Sequence, residues 1–191
     1  MAAMIKKAVP PKFSIKPATS PSDLNSIKRL FSAYAASLKI DLSFQNFSAE
    51  LDSLPGLYAL PTGALFLAVS LDNEAIGCVG LRPLTRKSTP KVSDGGDEHE
   101  PERRICEMKR LYCTPASRGL GVGRALVEEV IKEAEKLGYE EMRLDTLSSM
   151  SGARKLYAEF GFSEIEAYYQ TPLLDTTVFL GKKLGEREVD V

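Results

Sequence analysis

Leu111-Tyr112-Cys113-Thr114-Pro115-Ala116-Ser117-Arg118-Gly119-Leu120-Gly121-Val122-Gly123-Arg124 is the stretch on which the reading of this chain turns. It reads as the apolar end of a strand, a short turn, and an Arg-x-x-Gly-x-Gly loop running directly into an amphipathic helix. Glycines at such a junction let a ligand approach the main chain without a Cβ in the way. The helix start supplies unpaired N–H groups and the positive end of its dipole, a seat for an anion such as a pyrophosphate. A packed core needs neither three glycines in five residues nor arginines at both ends of the loop. The loop therefore points to a phosphorylated ligand.

Downstream, apolar residues at Val122, Leu126, Val127, Val130, Ile131, Ala134 and Leu137 recur with helical period, and Gly138 stands where that helix should stop. Residues 142–147 alternate like a half-buried strand. A second helix follows over 152–160, with Ala153, Leu156, Tyr157 and Phe160 on one face. Gly161 ends it and Phe162 begins the next extended piece. Two phosphate-binding readings compete for the glycine loop. A P-loop needs Lys-Ser or Lys-Thr after its glycines, and neither is present. A dinucleotide-binding unit accounts for the strand, glycines, helix and a later strand carrying Asp145, roughly twenty residues on. Against it, Gly119-x-Gly121-x-Gly123 is not Gly-x-Gly-x-x-Gly, and the turn from Cys113 to Gly119 is long for that corner.

The block 105–162 resembles the GNAT superfamily of acetyl-CoA-dependent N-acetyltransferases. The family motif Gln/Arg-x-x-Gly-x-Gly/Ala is met by Arg118, Gly121 and Gly123. A later signature, Ala-x-x-Leu-Tyr-x-x-x-Gly-Phe, is met by Ala153, Leu156, Tyr157, Gly161 and Phe162. Either motif alone is weak; both, in order and separated by a helix and a strand, are specific. Further elements can be read independently: a strand over 13–18, a helix opened by Ser20-Pro21-Ser22-Asp23 and continued by Leu24, Ile27, Leu30 and Phe31, and a helical piece over 47–54. Apolar runs at 64–71 and 75–81 flank a hairpin signal at Asp72-Asn73-Glu74, and strands are expected over 105–113, 164–169 and 177–184. The resemblance implies for this order an α/β fold: a mixed, mostly antiparallel central sheet of about seven strands flanked by about four helices, splayed to admit the cofactor.

The resemblance also implies site residues. Main-chain groups of Leu111, Tyr112 and Cys113 would meet the pantetheine arm of acetyl-CoA, and the Leu111 N–H would face the thioester oxygen. Backbone amides of Arg118, Gly119, Leu120, Gly121, Val122, Gly123 and Arg124 would hold the pyrophosphate, with the two arginine side chains as charge partners. Family members often carry Asn three residues before the motif Ala; that position here is Met150, leaving Ser149 or Ser151 to replace the contact. Glu107, where histone-type members carry a catalytic glutamate, is the candidate base. Four residues before Leu111 on one strand, it is expected on that residue's face. Its other reading is a carboxylate paired with Lys109 or an arginine. Tyr157 is the candidate acid for the leaving thiolate, and its other reading is a core aromatic. An amine acceptor, of a small molecule rather than a protein, follows; Tyr58, Tyr168 and Tyr169 are candidates to line its pocket. A catalytically silent acyl-CoA-binding sensor or scaffold would share every cofactor residue and is the alternative from another class.

Composition sets the remaining expectations. With 191 residues and 43% hydrophobic, the chain can bury one sizeable core, so a single domain is expected over 13–185. Loose tails are expected at 1–12 and 186–191, and a mobile excursion at 86–104, rich in Lys, Ser, Pro, Asp, Gly and Glu. A net charge of −1 makes no case for nucleic acid or an acidic membrane. Cys78, Cys106 and Cys113 lie in apolar runs without ligand spacing and read as reduced thiols, which suits a cytoplasmic protein. His99, the only histidine, has no Cys or His partner nearby, so no metal is expected. A monomer or homodimer is expected.

Overall fold

The computed structural model describes residues 12–38, 40, 45–84 and 104–185. The expected tails, most of the 86–104 excursion and His99 lie outside these residues. Strand β1 (Phe13–Pro17) leads into helix α1 (Pro21–Leu38), whose start is set by a reciprocal cap. The Asp23 N–H donates to Ser20 Oγ at 3.1 Å, and the Ser20 N–H donates to Asp23 Oδ2 at 3.2 Å. Pro21 at the first helical position loses nothing, because that N–H has no intrahelical partner. Lys16 Nζ donates to Asp23 Oδ1 at 2.6 Å and ties the strand to the helix it feeds.

Helix α2 (Phe47–Asp52) follows, then β2 (Ala64–Ser70), β3 (Ala75–Pro83) and β4 (Ile105–Cys113). Helix α3 (Val122–Lys136), β5 (Glu141–Leu147), α4 (Ser151–Glu159), β6 (Ser163–Glu164) and β7 (Thr177–Lys183) complete the described chain. The seven strands form one sheet in the order β1-β2-β3-β4-β5-β7-β6. Every neighbouring pair is antiparallel except β4 with β5. This is the mixed, mostly antiparallel sheet that was expected, with four α-helices among the described residues.

Both faces of the sheet are covered, which is why β2 is an almost unbroken apolar run. Leu65, Leu67 and Val69 pack with Ile27, Leu30 and Phe31 of α1. The alternate residues Ala64, Phe66 and Ala68 join Leu126, Val127 and Val130 of α3 on the other face. Each such buried Val or Leu contributes about 1.5–3 kcal/mol. Gly77 in β3 lets α3 settle: a Cβ there would stand 2.9 Å from Val122 Cγ1 and 3.1 Å from Leu126 Cδ1. Among the described residues no helix is long and apolar enough to cross a membrane.

Two departures from the sequence reading bear on the site. First, residues 165–169 are not a strand. Pairing of β6 with β7 covers only Ser163 and Glu164, and the chain then turns so that the ring of Tyr168 is buried against Phe179, 5.2 Å between centroids. Second, β4 is bulged. Its register runs Gly80↔Lys109 and then Cys78↔Tyr112, so Arg110 and Leu111 together face Val79. Arg110 takes the left-handed conformation, φ 58°. The extra residue inverts the alternation beyond it: Leu111 joins Cys106 and Met108 on the α3 face, so Glu107 and Leu111 lie on opposite faces rather than on one.

The Asp23 cap sets a pH signature. The hydrogen bond from Lys16, with those from Ser20, lowers the Asp23 carboxyl to about 2. A lowered folded pKa gives stability that is present above the unfolded value and lost as pH falls through the folded one. Asp23→Asn should therefore unfold at lower urea than wild type at pH 7, by an amount equivalent to about 0.5–1 kcal/mol, the worth of an ion pair with a half-exposed lysine. The gap between the two unfolding curves should close between about pH 4 and pH 2. A gap independent of pH would mean that the charge of Asp23 contributes nothing.

Candidate active site

Cys113 leads through Thr114 into a 3-10 turn at Pro115–Ser117, which is pinned from inside. Ser117 is buried and its Oγ donates to the Ile76 carbonyl at 2.9 Å, while the Thr114 N–H donates to that same carbonyl at 2.9 Å. From this anchor the chain emerges as an exposed loop. Gly119 and Gly121 are both left-handed, φ 78° and 84°, a conformation that costs other residues about 1–2 kcal/mol. A Cβ at either glycine would meet nothing within 4 Å, so the loop is open on its outer side. Gly121 caps α3, its carbonyl accepting the Ala125 N–H at 3.1 Å. Among the described residues, no backbone acceptor takes the N–H groups of Gly119, Gly121, Val122, Gly123 or Arg124. The exposed turn thus presents a run of donors at the positive end of a 15-residue helix.

The arginines that bracket this loop differ. Arg118 is exposed, whereas the Arg124 guanidinium pairs with Glu159 of α4 and lies 5.2 Å from the Phe160 ring centroid. Arg124 faces α4 with its side chain and offers the loop its N–H. Ser149 and Ser151 are exposed beside the start of α4, and Met150 between them turns inward, its Sδ accepting from Thr146 Oγ1 at 3.7 Å.

The sheet comes apart next to this loop. Parallel pairing of β4 with β5 spans only Ile105↔Glu141, Cys106↔Met142 and Glu107↔Arg143. Beyond Glu107, β4 bends away through its bulge, while β5 stays on β7 as far as Leu147↔Thr177. The gap is lined from both faces, by Tyr34 of α1 on one side and by Ala153 and Tyr157 of α4 on the other, with Leu111 and Asp145 across it. The opening, about 50 Å³, therefore passes through the sheet. Tyr157 is buried, and that burial pushes its phenol up, so it stays protonated near neutrality.

A chain of buried charges holds the gap. Arg110 is gripped by α2: its Nε donates to Glu50 Oε1 at 3.1 Å and its Nη2 to Oε2 at 2.6 Å. Tyr58 adds an O–H donor to the same carboxylate at 2.7 Å. Burial alone would raise the Glu50 carboxyl; the Arg110 bonds outweigh it and hold it below the usual range. Phe47 and Tyr34 flank the Arg110 guanidinium, at 5.0 and 5.9 Å to their ring centroids. Lys109, also buried, donates to Asp145 Oδ1 at 2.7 Å across the gap. Burial would raise Asp145 too, but Lys109 keeps it ionised.

On the α1 face lies a second cavity of about 160 Å³ that shares Lys109 and Arg110 with the opening. Glu107 lines it and is 1% exposed. Its Oε2 accepts from Arg82 Nε at 2.8 Å and Nη2 at 2.7 Å, and its Oε1 accepts from Tyr168 at 2.8 Å, with Lys109 Nζ at 3.5 Å. The reading of Glu107 as a paired carboxylate thus describes its contacts, though the pair is buried rather than on the surface. Tyr168 and Tyr169 both line this cavity; Tyr58 lines a neighbouring one with Glu50.

The sequence reading did not select Arg82, Arg110, Glu50, Gln45 or Tyr34. A signal existed for part of this set: Glu107, Lys109 and Arg110 are charged residues within an otherwise apolar strand run, and such residues are buried only when paired. Their hydrogen-bond partners come from α2, β3, β5 and the segment after β6, all distant in sequence.

A family model described as acetyltransferase (GNAT) family matches residues 27–162. An uncharacterised N-acetyltransferase of Schizosaccharomyces pombe is 39% identical over 164 residues, 86% of this chain and 91% of the relative. A GNAT family acetyltransferase of Staphylococcus aureus superposes with a TM-score of 0.67 at 18% identity, over 90% of this chain and 99% of that one. A GNAT family acetyltransferase of Elizabethkingia anophelis, solved with acetyl-CoA bound, gives 0.57 at 21% identity over 91% and 99%. The chain belongs to the GNAT family of N-acetyltransferases.

The open side of Gly121 makes the loop testable. Gly121→Val should lower affinity for coenzyme A by roughly 100-fold in calorimetry, the loss of one or two charge-assisted hydrogen bonds. Circular dichroism should stay that of wild type, since the strain of a left-handed valine, about 1–2 kcal/mol, falls on an exposed loop where its Cβ meets no other atom within 4 Å. Unchanged affinity would place the anion site elsewhere.

Proposed function

We propose that this chain moves the acetyl group of acetyl-CoA to a primary amine of a small molecule, by direct attack in a ternary complex. The observation that carries the proposal is the opening between β4 and β5, lined by Leu111 and α4 on the face that carries the donor-rich start of α3, and sharing Lys109 and Arg110 with the Glu107 cavity. Two substrates approaching from opposite faces would meet where β4 and β5 part. In this reading the free amides of Gly119, Gly121, Val122, Gly123 and Arg124 hold the pyrophosphate, those of Arg118 and Leu120 being turned to the Pro115 and Ser117 carbonyls, and the main chain of Leu111, Tyr112 and Cys113, no longer paired to β5, takes the pantetheine arm. Acetyl-CoA supplies the activated thioester. The Leu111 N–H faces the thioester oxygen, a role worth about 10²–10³ in rate for one well-placed donor.

Glu107 serves as proton acceptor on the amine side. The bulge that sets it opposite Leu111 also sets it on the face where the amine would arrive. Tyr157 lies on the cofactor side and, kept neutral by burial, has a proton to give to the departing thiolate. Acid–base help of this kind is worth roughly 10²–10⁴.

Release of free thiol from acetyl-CoA across a panel of amines tests the activity; cofactor binding with no turnover on any amine would instead support a sensor. The two roles separate by pH. Glu107→Gln should lose kcat at pH 7 and recover much of it in alkali, where the free amine is abundant. Tyr157→Phe should lose kcat without alkaline rescue. Both should bind coenzyme A as wild type does, which also reports that they fold. An unchanged pH–rate profile in Glu107→Gln would remove it as the base.

A further inference from the structure

The cavity beside Glu107 has an unbalanced wall. Arg82, Lys109 and Arg110 line it, against the single carboxylate of Glu107. The other carboxylates of the network stand outside: Glu50 faces the neighbouring cavity with Tyr58, and Asp145 faces the opening between the strands. Among the three cations Arg82 is the accessible one, with 26% of its side chain exposed against 6% for Lys109 and 3% for Arg110. A guanidinium carries five N–H donors in a planar fork. Those of Nε and Nη2 that meet Glu107 both go to one oxygen, Oε2, so among the described residues the rest of the fork has no hydrogen-bond partner and can meet a second anion.

A second observation on the same wall concerns a different charge. Gln45 Oε1 is buried and has no hydrogen-bond partner among the described residues, and Gln45, with Arg82, lines both this cavity and the neighbouring one. A buried acceptor left unmet costs about 1–3 kcal/mol, so it is complementary to an N–H or O–H donor brought by a ligand. The cavity thus offers a fork for an anion and a carbonyl for a donor, within about 160 Å³.

Resting on the reading of the chain as an acetyltransferase, we infer that its acceptor is an amino acid, whose carboxylate is held by Arg82 while its amine points to the opening between β4 and β5. Lys109 and Arg110 are taken up by Asp145 and Glu50, which leaves Arg82 as the cation that meets the carboxylate. Glu107, already the partner of Arg82, keeps the guanidinium in the orientation that presents its free edge.

The test pairs each of several amino acids with its own amide, which keeps the amine and the side chain and removes only the carboxylate. Spermidine represents the polyamines, and thiol release from acetyl-CoA is the readout. The amide's less basic amine is more often in the free form, so intrinsic reactivity near neutral pH favours the amide. Any preference for the acid must then come from binding. Wild type should favour acid over amide by roughly 10–100-fold in kcat/KM, chiefly through KM, as expected for a charge-assisted pair. Arg82→Met should shrink that ratio toward one, and Arg82→Lys, which keeps the charge and loses the fork, should restore part of it. Equal use of acid and amide by wild type, or a preference for amides or spermidine, would overturn the inference while leaving the acetyltransferase reading intact. Acetyl-CoA bound but never consumed with any acceptor would overturn that reading, and the inference with it. The wild-type comparison needs no variant, so a misfolded Arg82→Met does not rescue or sink the idea.

Discussion

The parting of β4 from β5 is the constraint on which the site depends. Two strands in one sheet normally satisfy each other's N–H and C=O groups along their full length, and leaving them unmet in a buried region is costly. Here the parallel pairing ends at Glu107 and Arg143, and β4 turns off through a bulge whose hinge residue, Arg110, is left-handed. A non-glycine residue in that conformation persists when its surroundings over-determine it. Glu50 supplies this with two hydrogen bonds from a different element, and the rings of Phe47 and Tyr34 flank the guanidinium. Helix α2, only six residues long, packs Phe47 and Leu51 against the core and carries the carboxylate that holds Arg110.

The buried charges follow from the same constraint. Lys109, Arg110, Glu107 and Asp145 would be expensive to bury singly, and each is paired with an opposite charge. Lys109 reaches across the gap to Asp145, so one ion pair replaces the ladder bonds that β4 and β5 forgo. An ion pair of this type is weak evidence for net stability, and replacing it with apolar residues is often neutral. Its retention here is better understood as shaping an opening that an apolar pair would close.

The division between the faces gives the chemistry its direction. Glycines and helix dipole gather on the α3–α4 side, where an anion is favoured; carboxylate, tyrosines and guanidinium gather on the α1 side. A single inserted residue in β4 separates Leu111 from Glu107 and so assigns one to each side. The end of regular pairing after Ile165 completes the second side, because it brings Tyr168 onto Glu107 instead of extending the sheet edge.

Periodicity and punctuation alone determined the helices, most of the strands and the glycine loop, because those features are local. A 3.6-residue stripe from Val122 to Ala134, Gly121 ahead of it and Gly138 after it leave little freedom in where α3 lies. Sequence also marked Glu107, Leu111 and Tyr157, through motifs whose spacing is kept within single elements. What it did not determine is which face Glu107 takes, and what surrounds it. Strict alternation placed Glu107 with Leu111, and nothing near Arg110 announces a bulge, since the residue that stabilises it, Glu50, is sixty positions away. Likewise 165–169 has the composition of a strand, and only the docking of Tyr168 against Phe179 and Glu107 shows why it is not one. Local hydrogen bonding and side-chain period are written in neighbouring residues; bulges, buried ion pairs and cavities are decided by contacts between elements brought together only when the sheet forms.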